Sequence, residues 1–119
     1  MDAATADVFA KDWIAAWKRR DVEALVAHYA PNIEFRSPVA ARLLGEPSGM
    51  VRGKENLRAY FTRALAAFPG ELDIELRGVY QGVNSLVVLF EARGRKGAEV
   101  MEFDSDTLVY RAMAHSHAA

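Results

Sequence analysis

Residues 21–61, DVEALVAHYAPNIEFRSPVAARLLGEPSGMVRGKENLRAYF, decide how this chain folds. Asp21 is a helix N-cap residue, with a side chain that accepts from the free amide N–H groups of a first turn. Val22, Leu25, Val26 and Tyr29 then recur at i, i+3, i+4 and i+7, the stripe of a short amphipathic helix that Pro31-Asn32 ends. His28 lies off that stripe, toward solvent or the helix end. The period next changes to two: Ile33, Phe35 and Ser37 share one strand face, and Glu34 and Arg36 the other. Residues 40–52, AARLLGEPSGMVR, are broken by Gly and Pro and read as a loop, with a short strand over 50–52. Arg42, Leu43 and Leu44 in it form a flap over a pocket mouth. After Gly53 a helix runs over 54–68, with Leu57, Tyr60, Phe61, Ala64, Leu65 and Phe68 as its apolar face and Pro69-Gly70 as its stop. A strand bearing one polar group between two aromatic-burying helices is a way to line a pocket.

Upstream, Val8, Phe9, Trp13, Ala16 and Trp17 fall at helical spacing and predict a helix over 5–19. Trp13 and Trp17, four apart, share a face; they are core anchors or cavity walls. Downstream of Leu72 the period is two, and strands are predicted over 73–80, 85–93, 98–104 and 108–116, joined by short links into antiparallel hairpins. Leu86 to Phe90 is apolar throughout, so that strand is covered on both sides, by helices on one and by a second subunit on the other.

The 119 residues make one domain with a single core, spanning 1–119. With 51% hydrophobic and 26% charged residues the chain is not a disordered one. A net charge of -1 gives no footprint for nucleic acid or an anionic membrane. Cysteine is absent, which removes disulfides, thiolate metal sites and thiol nucleophiles. The opening MDAATADVFAKD lacks the basic start and apolar stretch of a secretory leader, and no window is apolar enough to span a membrane. The expectation is a soluble, cytoplasmic protein.

Three groups are candidates for chemistry. Glu99 shares a strand face with Met101 and Phe103, and His115 shares one with Val109, Arg111 and Met113. Burial among apolar neighbours raises a carboxylic acid's pKa and lowers that of a histidine, which tunes general acids and bases. The alternative is a hydrated strand start for Glu99 and a frayed terminus for His115. Ser37 is a polar atom on an apolar face, or a turn residue before Pro38; no Gly-x-Ser-x-Gly elbow surrounds it as a nucleophile. The three histidines, 28, 115 and 117, have no metal-ligand spacing, and no phosphate-binding glycine loop is present. No metal and no cofactor are expected.

Helix, helix, strand, loop, helix and four long strands follow in an order that resembles the nuclear transport factor 2-like superfamily, and its SnoaL-like members most. The phrases that carry the resemblance are Trp17-Lys18-Arg19-Arg20-Asp21, Tyr29-Ala30-Pro31-Asn32-Ile33-Glu34-Phe35, Ser37-Pro38-Val39, residues 53–61 (GKENLRAYF) and Glu99-Val100-Met101-Glu102-Phe103-Asp104. The resemblance implies an α+β, cystatin-like cone: a strongly curved antiparallel sheet wrapped around three helices of the N-terminal half. It also implies an apolar pocket and a homodimer through the outer face of the sheet.

Set against ketosteroid isomerase, the best understood relative, the resemblance puts Ser37 where the carboxylate base belongs, Trp13 at the tyrosine and Phe103, or Met101, at the oxyanion acid. Tyr29 is a retained supporting tyrosine and Phe61 a lost one. That mechanism is therefore disfavoured. Limonene epoxide hydrolase needs an Asp-Arg-Asp network, and Arg36 and Arg111 lack inward acids to match. SnoaL-type cyclases use an acid on the late strands, for which Glu99 or His115 stands in.

Two readings follow. One is a binding domain or enzyme for a small, largely apolar carbonyl compound such as a polyketide, steroid or terpenoid. Its walls are Trp13, Trp17, Tyr29, Phe35, Tyr60, Phe61, Met101, Phe103 and Met113, with Ser37, Glu99 and His115 supplying orientation or cofactor-free proton transfer. The other is a non-catalytic binding or dimerisation module.

Overall fold

The computed structural model describes residues 1–117 as an α+β fold. Helices α1 (Ala3–Lys18), α2 (Val22–Val26), α3 (Pro38–Leu44) and α4 (Lys54–Ala67) lie in the first half with strands β1 (Tyr29–Arg36) and β2 (Met50–Arg52). Strands β3 (Ile74–Gly82), β4 (Ser85–Ala92), β5 (Arg95–Phe103) and β6 (Val109–His117) complete the second half. All six strands form one sheet in the order β2-β1-β6-β5-β4-β3, antiparallel except where β1 runs parallel to β6.

Three register shifts interrupt the ladders, between β1 and β6, β3 and β4, and β5 and β6. Each adds residues on one strand and bends it, and the sheet curves into a cone around the helices. Helix α1 lies against β3 and α4 against β1. Between helices and sheet sits one aromatic-rich core: Trp13, Tyr29, Phe61, Leu57, Leu86 and Met101 are almost wholly removed from water. At about 25 cal/mol per Å² of apolar surface, each large ring among them contributes several kcal/mol.

Local chemistry accounts for the boundaries. Asp2 and Asp21 cap α1 and α2, accepting from Thr5 N at 2.8 Å and Ala24 N at 3.1 Å. Helix α2 stops at Val26 rather than running on to Tyr29. Tyr29 instead opens β1, and Val109 N donates to His28 O at 2.9 Å as the strand pairs with β6. His28 is half-buried, edge-on to Phe9 with ring centroids 4.8 Å apart.

Residues 38–44 are a helix and not a loop. Ser37 is its N-cap, Pro38 fills its first position and Gly45 closes it at φ 65°. Proline inside the start and glycine past the end is the asymmetry helices favour. The signal was in the sequence, over a stretch too short to show a period.

At the other end of the core, the end of α4 is fastened from outside. Arg20, itself left-handed at φ 58°, donates to the carbonyls of Leu65, Phe68 at 3.0 Å and Gly70 at 2.7 Å. Leu65 O also accepts from Phe68 N at 3.2 Å, while Phe68 and Gly70 lie past the last turn, and a guanidinium fork suits such helix-end carbonyls.

Candidate functional site

The wide end of the cone encloses a cavity of about 360 Å³, open to solvent on one side. That size falls in the range of small-molecule sites. Trp13 and Trp17 come from α1, Phe35 and Ser37 from β1 and its end, and Tyr60, Phe61 and Phe68 from α4 and its end. The sheet contributes Phe90, Gly97, Glu99 and Ala114. The aromatic walls interlock edge to face, with Phe61 at 5.1 Å from Trp17, 5.8 Å from Tyr29 and 5.7 Å from Phe35. Gly97 makes room for Phe90: a methyl group there would stand 2.3 Å from the ring, which is thus laid flat on the strand.

Glu99 is the acid of this cavity. Only 4% of it is exposed, and the single hydrogen bond of its side chain among the described residues is from Tyr29 Oη, 3.4 Å from Oε2. Tyr29 Oη in turn accepts from Trp13 Nε1 at 3.1 Å. A relay therefore runs from an indole on α1 through a phenol on β1 to a carboxyl on β5. Loss of solvent lifts the Glu99 carboxyl from the ordinary 4.5 to about 8, against the opposing pull of the Tyr29 bond. Near neutral pH it is mainly the uncharged acid. Tyr29 is raised well above the usual phenol range, by burial first and by neighbouring Glu99 second.

Ser37 is buried, and its Oγ accepts from Val39 N at 3.1 Å and Ala40 N at 3.5 Å as the cap of α3. Tyr60 Oη donates to it at 3.4 Å; burial raises the Tyr60 phenol too. No carboxylate or imidazole hydrogen-bonds Ser37 among the described residues, so nothing here activates it as a nucleophile. His115 is exposed at the cavity rim. Its partner across the ladder is Ala98, on the sheet face opposite Glu99.

Of the expected walls, Trp13, Trp17, Phe35, Tyr60 and Phe61 line the cavity. Tyr29 stands behind the wall and reaches the cavity only through Glu99. Met101 and Phe103 are buried but lie deeper along β5, Phe103 against Phe9 at 5.1 Å, and they do not line it.

Met113 is corrected more sharply. Phe103 pairs with Val109 and Glu102 with Arg111, so Tyr110 is an extra residue that reverses the facing of everything after it. Val109, Ala112 and Ala114 therefore turn inward, while Arg111 and Met113 turn out. Of the expected flap, Arg42 borders the mouth and Leu43 and Leu44 do not; residues missed by sequence reasoning are Phe90, which sits at period two beside Leu86 and Val88, and Arg93, Arg95 and Lys96 around the mouth. Among the described residues no group of three His, Asp or Glu is placed to hold a metal ion, and no helix is long and apolar enough to cross a membrane.

Comparison with protein families matches residues 10–117 to the SnoaL-like domain. Among solved structures, a SnoaL-like protein of unknown function from Burkholderia thailandensis is similar over 98% of both chains, at 37% identity and a TM-score of 0.92. A candidate isomerase of the SnoaL-like family from Agrobacterium tumefaciens is 16% identical, with a TM-score of 0.77 over 97% of this chain and 99% of its own. A candidate SnoaL-like polyketide cyclase from Shewanella denitrificans is 14% identical, with a TM-score of 0.72 over 95% and 90%. At those two identities the likeness is one of fold. No curated protein matches the chain.

Proposed function

The chain belongs to the SnoaL-like domain family, and from that footing we propose that its cavity binds a small, largely apolar molecule through a carbonyl oxygen. The observation that carries this is Glu99: a buried, mainly uncharged carboxylic acid whose Oε2 is tied to Tyr29 and whose Oε1 is left for an occupant. A neutral acid donates a hydrogen bond to a carbonyl and favours the enolic form beside it. Polyketide, steroid and terpenoid carbonyl compounds are the classes that match such walls. Cofactor-free proton transfer, as in an isomerase, cyclase or hydrolase, follows if the bound carbonyl has an acidic neighbouring C–H, with Glu99 giving its proton to the carbonyl oxygen and the carboxylate so formed taking the proton of that C–H. Ser37 and His115 are secondary in this reading, a cap hydroxyl and a rim imidazole.

A thermal-shift or native mass-spectrometry screen against ketone-bearing steroids, terpenoids and polyketide fragments tests it. The expected result is a ligand whose stabilisation is lost in Glu99→Gln, because an amide replaces the acidic O–H. A panel with no shift would overturn the reading. A second reading, binding without turnover, is favoured by one observation: the cap bonds and Tyr60 occupy Ser37 and His115 is exposed at the rim, so among the described residues no buried base accompanies Glu99 in the cavity.

We also propose a homodimer through the outer sheet face. Tyr80, Val87, Val100 and Met113 are in register across four strands and form an apolar row there, with Tyr80 66% exposed. Sedimentation of Met113→Glu against the parent chain tests this; a parent that sediments as a monomer at high micromolar concentration would count against it.

A further inference from the structure

We infer that the occupant of the cavity is an organic anion, held with its apolar body against the aromatic walls and its charged head at the mouth. This rests on the cavity reading above and adds the head group to it. Arg42 at one side of the mouth, and Arg93, Arg95 and Lys96 on the β4–β5 hairpin at the other, all border the cavity and are exposed. None of the four takes part in a salt bridge among the described residues. Arg93 stacks over the Phe68 ring at 5.6 Å, which holds its guanidinium beside the opening. Among the described residues the one acid bordering the cavity, Glu99, lies inside it and is mainly uncharged near neutral pH.

Composition does not account for the cluster, because the chain as a whole carries a net charge of -1. Elsewhere among the described residues Arg19, Arg52, Arg58, Arg77 and Arg111 are ion-paired, and the cations that are not, such as Lys11, Arg36 and Arg63, do not border the cavity; the mouth is where four unpaired cations border one opening. Four free cations around an apolar opening focus an electrostatic field that draws in an anion. Guanidinium groups match a carboxylate or sulfonate in two-point geometry. Exposed ion pairs are individually weak, so the head group sets selectivity while the walls supply most of the affinity.

A matched pair of fluorescent probes separates the two claims. Anilinonaphthalenesulfonate is an anion, and phenylnaphthylamine has the same skeleton without the charge. The sulfonate is expected to bind about tenfold more tightly. That preference should vanish in the triple variant Arg42→Gln, Arg95→Gln, Lys96→Gln, and it should weaken with added salt. Both probes should be excluded by Ala114→Phe, which fills the cavity from the sheet side. Equal binding of both probes would overturn the anion inference and leave the cavity reading standing. Sulfonate binding that survives Ala114→Phe would be adsorption to the surface and would overturn it as well. Binding of neither probe would overturn the cavity reading itself.

Discussion

Tyr29 Oη stands 3.4 Å from Glu99 Oε2, joining residues 70 positions apart in sequence. The phenol donates to the carboxyl and accepts from Trp13 Nε1, so it is the middle of a three-member chain with no water-exposed member. In a low-dielectric interior such a chain is stronger complete than the sum of its parts, and costly when broken. Tyr29→Phe therefore has two expected effects. The carboxyl loses the one hydrogen bond that favours its charged form, so its pKa rises beyond about 8. The Trp13 N–H loses its acceptor, and stability falls by about 1–3 kcal/mol. A carboxyl-carbon NMR titration and a denaturant melt check the two separately; an unmoved titration would show the bond to be without electrostatic consequence.

The raised pKa of Glu99 has a stability counterpart. The folded carboxyl binds its proton more tightly than the unfolded one, so the folded state holds more protons between about pH 4.5 and 8. By linkage, stability falls as pH rises through that window, and the loss is complete above it. Glu99→Gln removes the term. Its melting temperature should match the parent's below the window and exceed it above, by the equivalent of a few kcal/mol. Parallel curves for the two proteins across the window would contradict this.

Arg20 offers a prediction at the cavity's outer support, since Leu65 and Phe68 line the cavity. Its guanidinium holds the carbonyls of Leu65, Phe68 and Gly70, where α4 ends without a side-chain cap of its own. Arg20→Met keeps the apolar stem and removes the donors. The expected cost is about 1–3 kcal/mol, with faster amide exchange confined to the last turn of α4. Exchange accelerated evenly over the whole chain would point instead to general destabilisation.

Gly97 is the position at which the cavity is most easily reshaped. An added methyl group meets the Phe90 ring at 2.3 Å, and Phe90 leans on Trp13 at 5.6 Å. Gly97→Ala is expected to lift the ring off the strand, at about 1–3 kcal/mol of overpacking, and to alter the near-ultraviolet circular dichroism of Trp13. An unchanged tryptophan signal would mean that the sheet backbone, not the ring, gives way.

The elements were legible in the sequence wherever a period ran long enough. Leu57, Tyr60, Phe61, Ala64 and Leu65 announce α4, and Glu99 stood out as an acid alternating with Met101 and Phe103. Helix α3 was hidden because seven residues show no period, leaving only Ser37, Pro38 and Gly45 to mark its ends. The relay from Trp13 to Glu99 joins α1, β1 and β5, and no local pattern encodes such a meeting. Nor does the cation cluster at the mouth, assembled from α3 and the β4–β5 hairpin.

The bulge at Tyr110 sets which side chains of β6 face the helices. Because of that one extra residue, β6 turns its small side chains inward, Ala112 to the core and Ala114 to the cavity, and turns Met113 outward. Deleting Tyr110 would exchange the two faces of the strand at a stroke, bringing Arg111, Met113 and His115 inward. The volume and the chemistry of the site would change together, with the positions of the other strands kept. One residue of β6 thus decides which of its side chains the core and the cavity receive.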